Sequence, residues 1–263
     1  MSESRTAVAV IGAGITGLAA ACELGPAAFV VDRIPVCGGV TGWRHPAARD
    51  LERRARAGGA RFALGVTATR WEAGELLVIG PAGPLRIAAG RLLVAAGSRP
   101  LGRAELGLAG ARPAGVMGAT VACHLAESGL PVGLHPIVLG GGDWAERATR
   151  ELLAAGARTV TVRAPDGLLR AFPETRAVHV VEGLEPQAVE GDLRVTGLRA
   201  GDRLIEADAL VLAHRLTPLR NVDGAVANGA ATVYAQPAAD PASVSGAIAA
   251  GRLAAATAGS AAA

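Results

Sequence analysis

Two glycine-rich turns carry the residues of this 263-residue chain whose types and spacing could do chemistry. The first reads Gly12-Ala13-Gly14-Ile15-Thr16-Gly17, and the second reads Gly140-Gly141-Gly142-Asp143-Trp144-Ala145. In this spacing the first glycine permits a sharp turn, the second lets the backbone approach a pyrophosphate, and the third, or an alanine, lets a helix pack closely on a strand. The implied chemistry is the grip on a dinucleotide, whose phosphates meet helix N-terminal amides from about Ile15 onward. The reactive ring would then belong to the cofactor, with the protein supplying position and electrostatics. Asp32 follows the first turn by about twenty residues, where an acid accepts hydrogen bonds from ribose hydroxyls, and Arg33 stands next to it.

The elements that must position these turns are legible around them. Val8 to Ile11 and Ile137 to Leu139 are short apolar, β-branched runs, and each glycine turn opens into an alanine-rich helical stretch, as a Rossmann unit requires. A second strand, Ala28 to Val31, ends in Asp32. The corresponding strand of the second unit, Thr159 to Val162, ends in Arg163 with no acid. An arginine there suits a 2′-phosphate and favours NADPH over NADH. Two other readings of the second turn stand beside this one: the bulky Trp144 blocks the pocket, or the unit is kept for its fold alone.

Composition removes whole classes of chemistry. All 26 basic residues are arginine, so a Walker A lysine, a Schiff-base lysine and a Tyr-xxx-Lys pair are all impossible. Cys22, Cys37 and Cys123 are far apart and form no C-x-x-C pair, which argues against a redox disulfide, an iron–sulfur cluster or a metal site. Cys37 reads as a small filler in a binding loop. With aromatic residues at 3% and the arginines scattered, nucleic-acid binding is not expected despite the +3 charge. The basic run Arg49 to Arg61 reads as a solvated helix face. His45, His124, His135, His179 and His214 make no triad with an acid and a nucleophile, so no catalytic side chain is assigned. No secretory signal and no membrane span are expected, which makes the expected location cytoplasmic.

Cys37-Gly38-Gly39 and the run Leu92 to Pro100 narrow the cofactor. With them the sequence resembles the flavoproteins built from two dinucleotide-binding domains, in which a Gly-Gly pair lies beside the FAD pyrophosphate. The resemblance implies that Gly38, Gly39, Ala96 and Gly97 border FAD, and that Leu64 to Thr69, Ala68 in particular, offers backbone groups to adenine. The stretch from Arg112, with its turn at Leu125 to Gly133, resembles more narrowly the α or A subunits of the heteromeric amine-oxidising flavoenzymes sarcosine oxidase, opine oxidase and hydrogen cyanide synthase. That likeness implies a partner, either a second and different flavoenzyme subunit or a small electron-transfer subunit. Such proteins carry a Gly-Asp pair near the flavin ribityl chain before their last helix. This sequence has Thr232 to Asp240 there without the pair, so Gln236 or a displaced Asp240 takes over the contact, or flavin binding is weakened.

The expected architecture is α/β, with two Rossmann-like dinucleotide-binding domains of the FAD/NAD(P)-binding fold and no dimerisation domain. Residues 1–111 and 212–263 would form the FAD-binding domain, and residues 112–211 an NAD(P)-binding-like domain. The candidate second-site residues are Gly140, Gly142, Trp144 and Arg163. The expected activity is that of an FAD-dependent oxidoreductase subunit that exchanges electrons with its partner or with NAD(P)H. A non-catalytic scaffold and a stand-alone NAD(P)H:acceptor reductase are the alternatives.

Overall fold

The computed structural model describes residues 2–163, 177–181, 185–214, 216–227, 231–235 and 243–260. It separates the chain into two units, 1–97 with 218–263, and 98–217. The divisions fall at Gly97/Ser98 and Thr217/Pro218 instead of 111/112 and 211/212. The reason is local: Ser98–Pro100 (β7) and Leu216–Pro218 (β17) pair with each other as a separate two-stranded sheet.

In the first unit β1 (Ser2–Ile11) pairs in parallel with β2 (Ala28–Asp32) on one side and β6 (Gly83–Val94) on the other. Beyond β2 lies β3 (Arg61–Leu64), also parallel. The twelve-residue β6 belongs to two layers at once. Its first half continues an antiparallel meander through β5 (Glu75–Gly80) to β4 (Thr67–Glu72), while its last residues, Leu92 to Val94, pair in parallel with β18 (Thr232–Tyr234).

Strand periodicity decides the two faces of this sheet. Val8, Val10, Val30 and Leu93 face a core built with the helices α1 (Ile15–Leu24), α2 (Pro46–Ala57) and α5 (Val244–Gly259). Their neighbours Ala9, Ile11, Val31 and Leu92 face a second core with Trp71, Leu76, Val78 and Ile87 of the meander. With both faces covered, the central strands read as continuous apolar runs, and each fully buried aliphatic side chain contributes about 1.5–3 kcal/mol. Small residues let α1 and α5 meet backbone to backbone. A Cβ at Gly251 would overlap the Thr16 carbonyl and stand 2.9 Å from Ala19 Cβ.

The arginine-rich run does not form one helix over 49–61. It is helical to Ala57, turns at Gly58-Gly59, and Arg61 already opens β3. Its exposed arginines pair within the helix: Arg53 with Asp50, Arg54 with Asp50 at 3.6 Å and Arg56 with Glu52 at 2.9 Å.

The second unit repeats the parallel arrangement. Its five-stranded sheet runs β12 (Val178–Val181), β11 (Val160–Arg163), β10 (Pro136–Leu139), β16 (Ala209–Leu212), β9 (Val116–Gly118). Val138 and Val211 face α3 (Ala119–Glu127) and α4 (Asp143–Ala154). Ile137, Leu139, Leu210 and Leu212 face a core shared with β13 (Ala188–Glu190), β14 (Gly197–Ala200) and β15 (Arg203–Glu206), which with β8 (Ala109–Gly110) form a four-stranded sheet. The fold is thus α/β with two Rossmann-like units. Among the described residues no helix is long and apolar enough to cross a membrane.

Candidate functional site

The end of β1 builds the first cradle. Gly12 has φ 104°, donates its N–H to Val31 O at 2.8 Å, and lies so close to the Ala95 carbonyl that a Cβ would overlap it. Gly17 presses the first turn of α1 onto the same loop, since a Cβ there would overlap Gly12 O. Gly14 differs from both. It caps α1, and a Cβ at this position would meet only Gly39 Cα at 3.8 Å, an ordinary contact, so no backbone atom crowds it. The N–H groups of Ile15, Thr16 and Gly17 have no acceptor within the helix, and no acid stands in its first turn. This leaves the positive end of the helix dipole available to an anion.

Two further segments close on the cradle. Gly38 bridges Gly14 and donates to Ala13 O at 2.8 Å, and a Cβ at Gly39 would come within 3.1 Å of Gly14 Cα. Asp32 has a second duty that its spacing did not reveal. Its Oδ2 accepts from Ala13 N–H at 2.6 Å and its Oδ1 from Ile34 N–H at 2.8 Å, so the carboxylate braces the loop. Ala13 is fully buried with its N–H committed to Asp32, so the expected contact of Ala13 with a cofactor is corrected to a structural one. Each carboxylate oxygen has further lone pairs and remains able to accept from a ribose hydroxyl.

A small cleft, open to solvent, adjoins this loop. Ile11, Gly12, Val31, Asp32 and Arg33 form one wall. Val66, Thr67 and Ala68 form another, tied to the first by Val66 N–H donating to Asp32 O at 2.9 Å. Ala96 and the returning segment of Leu219, Asn221 and Val222 complete it. The structure thereby brings Gly12, Asp32, Arg33, Ala68 and Ala96 to one place, with Gly14, Gly38 and Gly39 adjacent. Gly97 does not line the cleft but anchors it, its carbonyl accepting from Leu219 N–H at 2.9 Å. Gln236 and Asp240 lie outside the described residues. Thr67 falls within the Leu64 to Thr69 stretch expected to meet adenine, whereas Asn221 was missed, because no local pattern marks a residue that reaches the cleft only after the chain has crossed another unit.

The second turn has the same backbone plan with a different surface. A Cβ at Gly140 would overlap the Ala213 carbonyl, as Gly12 does with Ala95, and Gly142 is open. Ala145, fully buried, holds a methyl where the first turn has no room for one. Asp143 and Glu146 stand in the first turn of α4, so carboxylates meet the positive helix end that a phosphate would need. Trp144 does not plug this turn. Its ring, 7% exposed, belongs to the core with Ala119, Ala122 and Cys123 of α3, under Arg147 at 5.2 Å. Both the blocking role and the cofactor contact expected of Trp144 are corrected to packing. Its Nε1 is buried with no acceptor among the described residues, a cost of about 1–3 kcal/mol that the packing offsets. Arg163 ends β11 as expected.

Burial favours the protonated form of all three thiols. Burial pushes Cys37 up to about 12, reinforced by Glu52, and Cys123 up to about 11. Cys22 is raised for the same first reason, and its thiol donates to Leu51 O at 3.3 Å. At pH 8 a thiol-specific disulfide reagent should therefore react slowly with the folded protein and rapidly with all three cysteines in denaturant. The folded state keeps protons that the unfolded chain releases near the ordinary value of 9.0, so stability should fall as pH rises from there towards 12. Fast native modification at pH 8 would contradict this account. Two of the histidines have structural partners: His45 Nδ1 accepts from Ala47 N–H at 3.2 Å at the start of α2, and His135 Nδ1 meets Thr159 Oγ1 at 2.7 Å. Among the described residues no three His, Cys, Asp or Glu side chains group to hold a metal ion.

These paired cradles define a two-unit FAD/NAD(P)-binding fold, and solved structures share it. The chain is similar to a pyridine nucleotide-disulfide family oxidoreductase from Enterococcus faecalis V583, with TM-score 0.72 and 17% identity over 96% of this chain and 68% of that one. A NAD-dependent persulfide reductase from A. fulgidus gives TM-score 0.70 and 16% identity over 96% of this chain and 59% of that one. L-proline dehydrogenase from P. horikoshii gives 0.58 and 18%, over 82% of this chain and 43% of that one. The chain thus spans between two fifths and about two thirds of the length of these relatives in fold. No family model and no curated protein matches the sequence.

Proposed function

We propose that the first unit binds FAD through its ADP half and that the chain is an FAD-dependent oxidoreductase, as a subunit of a larger flavoenzyme. The observation that carries this reading is the open, acid-free helix end at Gly14, set beside the braced Asp32 and the cleft. The residues fit that half of the cofactor: the amides of Ile15, Thr16 and Gly17 would face the pyrophosphate, Asp32 the ribose, and the Val66 to Ala68 corner the base. Bound FAD supplies reversible electron transfer, and the chain's own part is to hold and orient it. Fold likeness alone does not fix the reaction. Two of the similar structures are named for disulfide or persulfide chemistry, but the raised, separated thiols of this chain favour a different substrate.

By the sequence resemblance, a partner subunit, either a second flavoenzyme or a small electron-transfer protein, oxidises an amine or similar small molecule in the cytoplasm. Electrons would pass between that partner, or NAD(P)H, and this flavin. Asp143 and Glu146 favour a second reading for the other unit, as a scaffold that does not take NAD(P)H. Titrating the purified, flavin-free chain with FAD should give one bound flavin per chain, with its absorbance shifted and its fluorescence changed, and NADPH should bind weakly or not at all. A chain that takes up neither FAD nor ADP would end the flavoprotein reading, and tight NADPH binding would end the scaffold reading of the second unit.

A further inference from the structure

We propose that Asn221 reads the base of the nucleotide in the first unit and that the base it selects is adenine. The inference rests on the reading that this unit holds a dinucleotide by its ADP half, and it names the side chain that gives the site a base preference. The segment carrying Asn221 is fixed at both ends by backbone hydrogen bonds. Leu219 N–H donates to Gly97 O at 2.9 Å, Asp223 N–H donates to Thr69 O at 2.9 Å, and Trp71 N–H donates to Asp223 O at 2.8 Å. Val222 is buried at 5% exposure and locks the middle. The parallel pairing of Asp223 with Arg70 carries Asn221 beside Ala68, the corner expected to meet the base.

Of the twelve residues lining the cleft only Asp32, Arg33, Thr67 and Asn221 have polar side chains. The Asp32 carboxylate accepts from the Ala13 and Ile34 N–H groups, and its remaining lone pairs are those proposed for the ribose. The Asn221 carboxamide is exposed and makes no hydrogen bond among the described residues, so its donor and its acceptor are both available on a rigid backbone. A carboxamide offers an acceptor oxygen and a donor NH2 side by side. Adenine presents the complement, an amino donor next to a ring-nitrogen acceptor. On the same edge guanine presents O6 and N7, two neighbouring acceptors, and would set O6 against the amide oxygen. It can pair with the carboxamide only by turning its N1–H and O6 inward, whereas adenine offers a donor beside an acceptor on either edge of its amino group. Guanine entering by its N7 edge would instead need the two parallel donors of Arg33.

Calorimetric titration of the flavin-free full chain with ADP, GDP and IDP tests the assignment. The wild type should bind ADP on the order of tenfold more tightly than GDP or IDP, the effect of one to two net hydrogen bonds. Asn221→Leu should lose that preference, chiefly by weakening ADP, with the thermal midpoint unchanged. Asn221→Asp, which keeps the shape and removes the donor, should lose it as well. The proposal falls if ADP and GDP bind the wild type alike, if the preference survives both substitutions, or if Arg33→Gln removes it while Asn221→Leu does not. In each of those cases nucleotide still binds, so the dinucleotide reading stands. If no nucleotide and no FAD bind, that reading falls and takes the base assignment with it.

Discussion

Gly14→Val should give a folded protein that no longer holds a flavin. A Cβ at Gly14 makes only an ordinary contact, with Gly39 Cα at 3.8 Å, so the apo protein should melt within a few degrees of wild type. The new methyl groups would occupy the space through which a pyrophosphate reaches the N–H groups at the start of α1. Affinity for FAD and for ADP should fall by about a hundredfold or more, equivalent to roughly 3 kcal/mol. Gly12→Val is the informative contrast, because its Cβ would overlap the Ala95 carbonyl and its φ of 104° is strained for any side chain. That variant should lose stability as well as the cofactor. Titration and thermal denaturation of both proteins separate the two cases. A Gly14→Val protein that binds ADP like wild type would show that the phosphates do not lie at this helix end.

The contrast between these two glycines also marks what sequence can carry. The spacing of Gly12, Gly14 and Gly17 with Asp32 was legible because each position obeys a local rule: a turn, a close approach, a helix start and a strand end. The strands themselves were legible because burial on both faces makes them uniformly apolar, as in Val8 to Ile11 and Ala209 to Leu212. The unit boundary was misplaced because Ser98–Pro100 and Leu216–Pro218 are short strands that pair only with each other, across more than a hundred residues of sequence. Trp144 was misread for a related reason. A bulky residue in a phosphate turn suggests a plug, yet the first turn of a helix also faces its own core, and only the packing of α3 against α4 decides which side receives the ring.

The asymmetry of the two turns follows from charge more than from backbone. Gly12 and Gly140 meet equivalent carbonyls, and Ala95 and Ala213 donate equivalent N–H groups to Ile11 and Leu139 at 2.8 Å. A shared backbone plan would allow both to take a phosphate. Asp143 and Glu146 place two negative charges in the first turn of α4, whereas α1 has no such acids. Local electrostatics at a helix start is worth about 0.3–1 kcal/mol per charge, so the proposed scaffold reading of the second unit predicts weaker anion binding at α4 than at α1.

Asp32→Ala should weaken the protein before any ligand is added, and this result distinguishes bracing from ribose binding alone. The carboxylate accepts two backbone N–H groups, from Ala13 at 2.6 Å and from Ile34 at 2.8 Å, and hydrogen bonds to a charged group contribute about 1.5–3 kcal/mol each when well formed. Partial exposure reduces the benefit, because water can replace the lost acceptor for Ile34 more easily than for the buried Ala13. A net loss of about 2–3 kcal/mol in the first unit is therefore expected, read as a lower denaturant midpoint of the apo protein. Asp32→Asn should fall between the two, since an amide keeps one acceptor oxygen and turns an NH2 towards the other donor. Both variants should bind FAD and ADP at least about tenfold more weakly, because the Gly12 to Gly14 loop loses its brace and the ribose loses its acceptor. If apo Asp32→Ala unfolded at the wild-type midpoint while ADP binding collapsed, the ribose contact alone would account for this residue and the loop would have to be held by Gly38 and the Ala95 strand end instead.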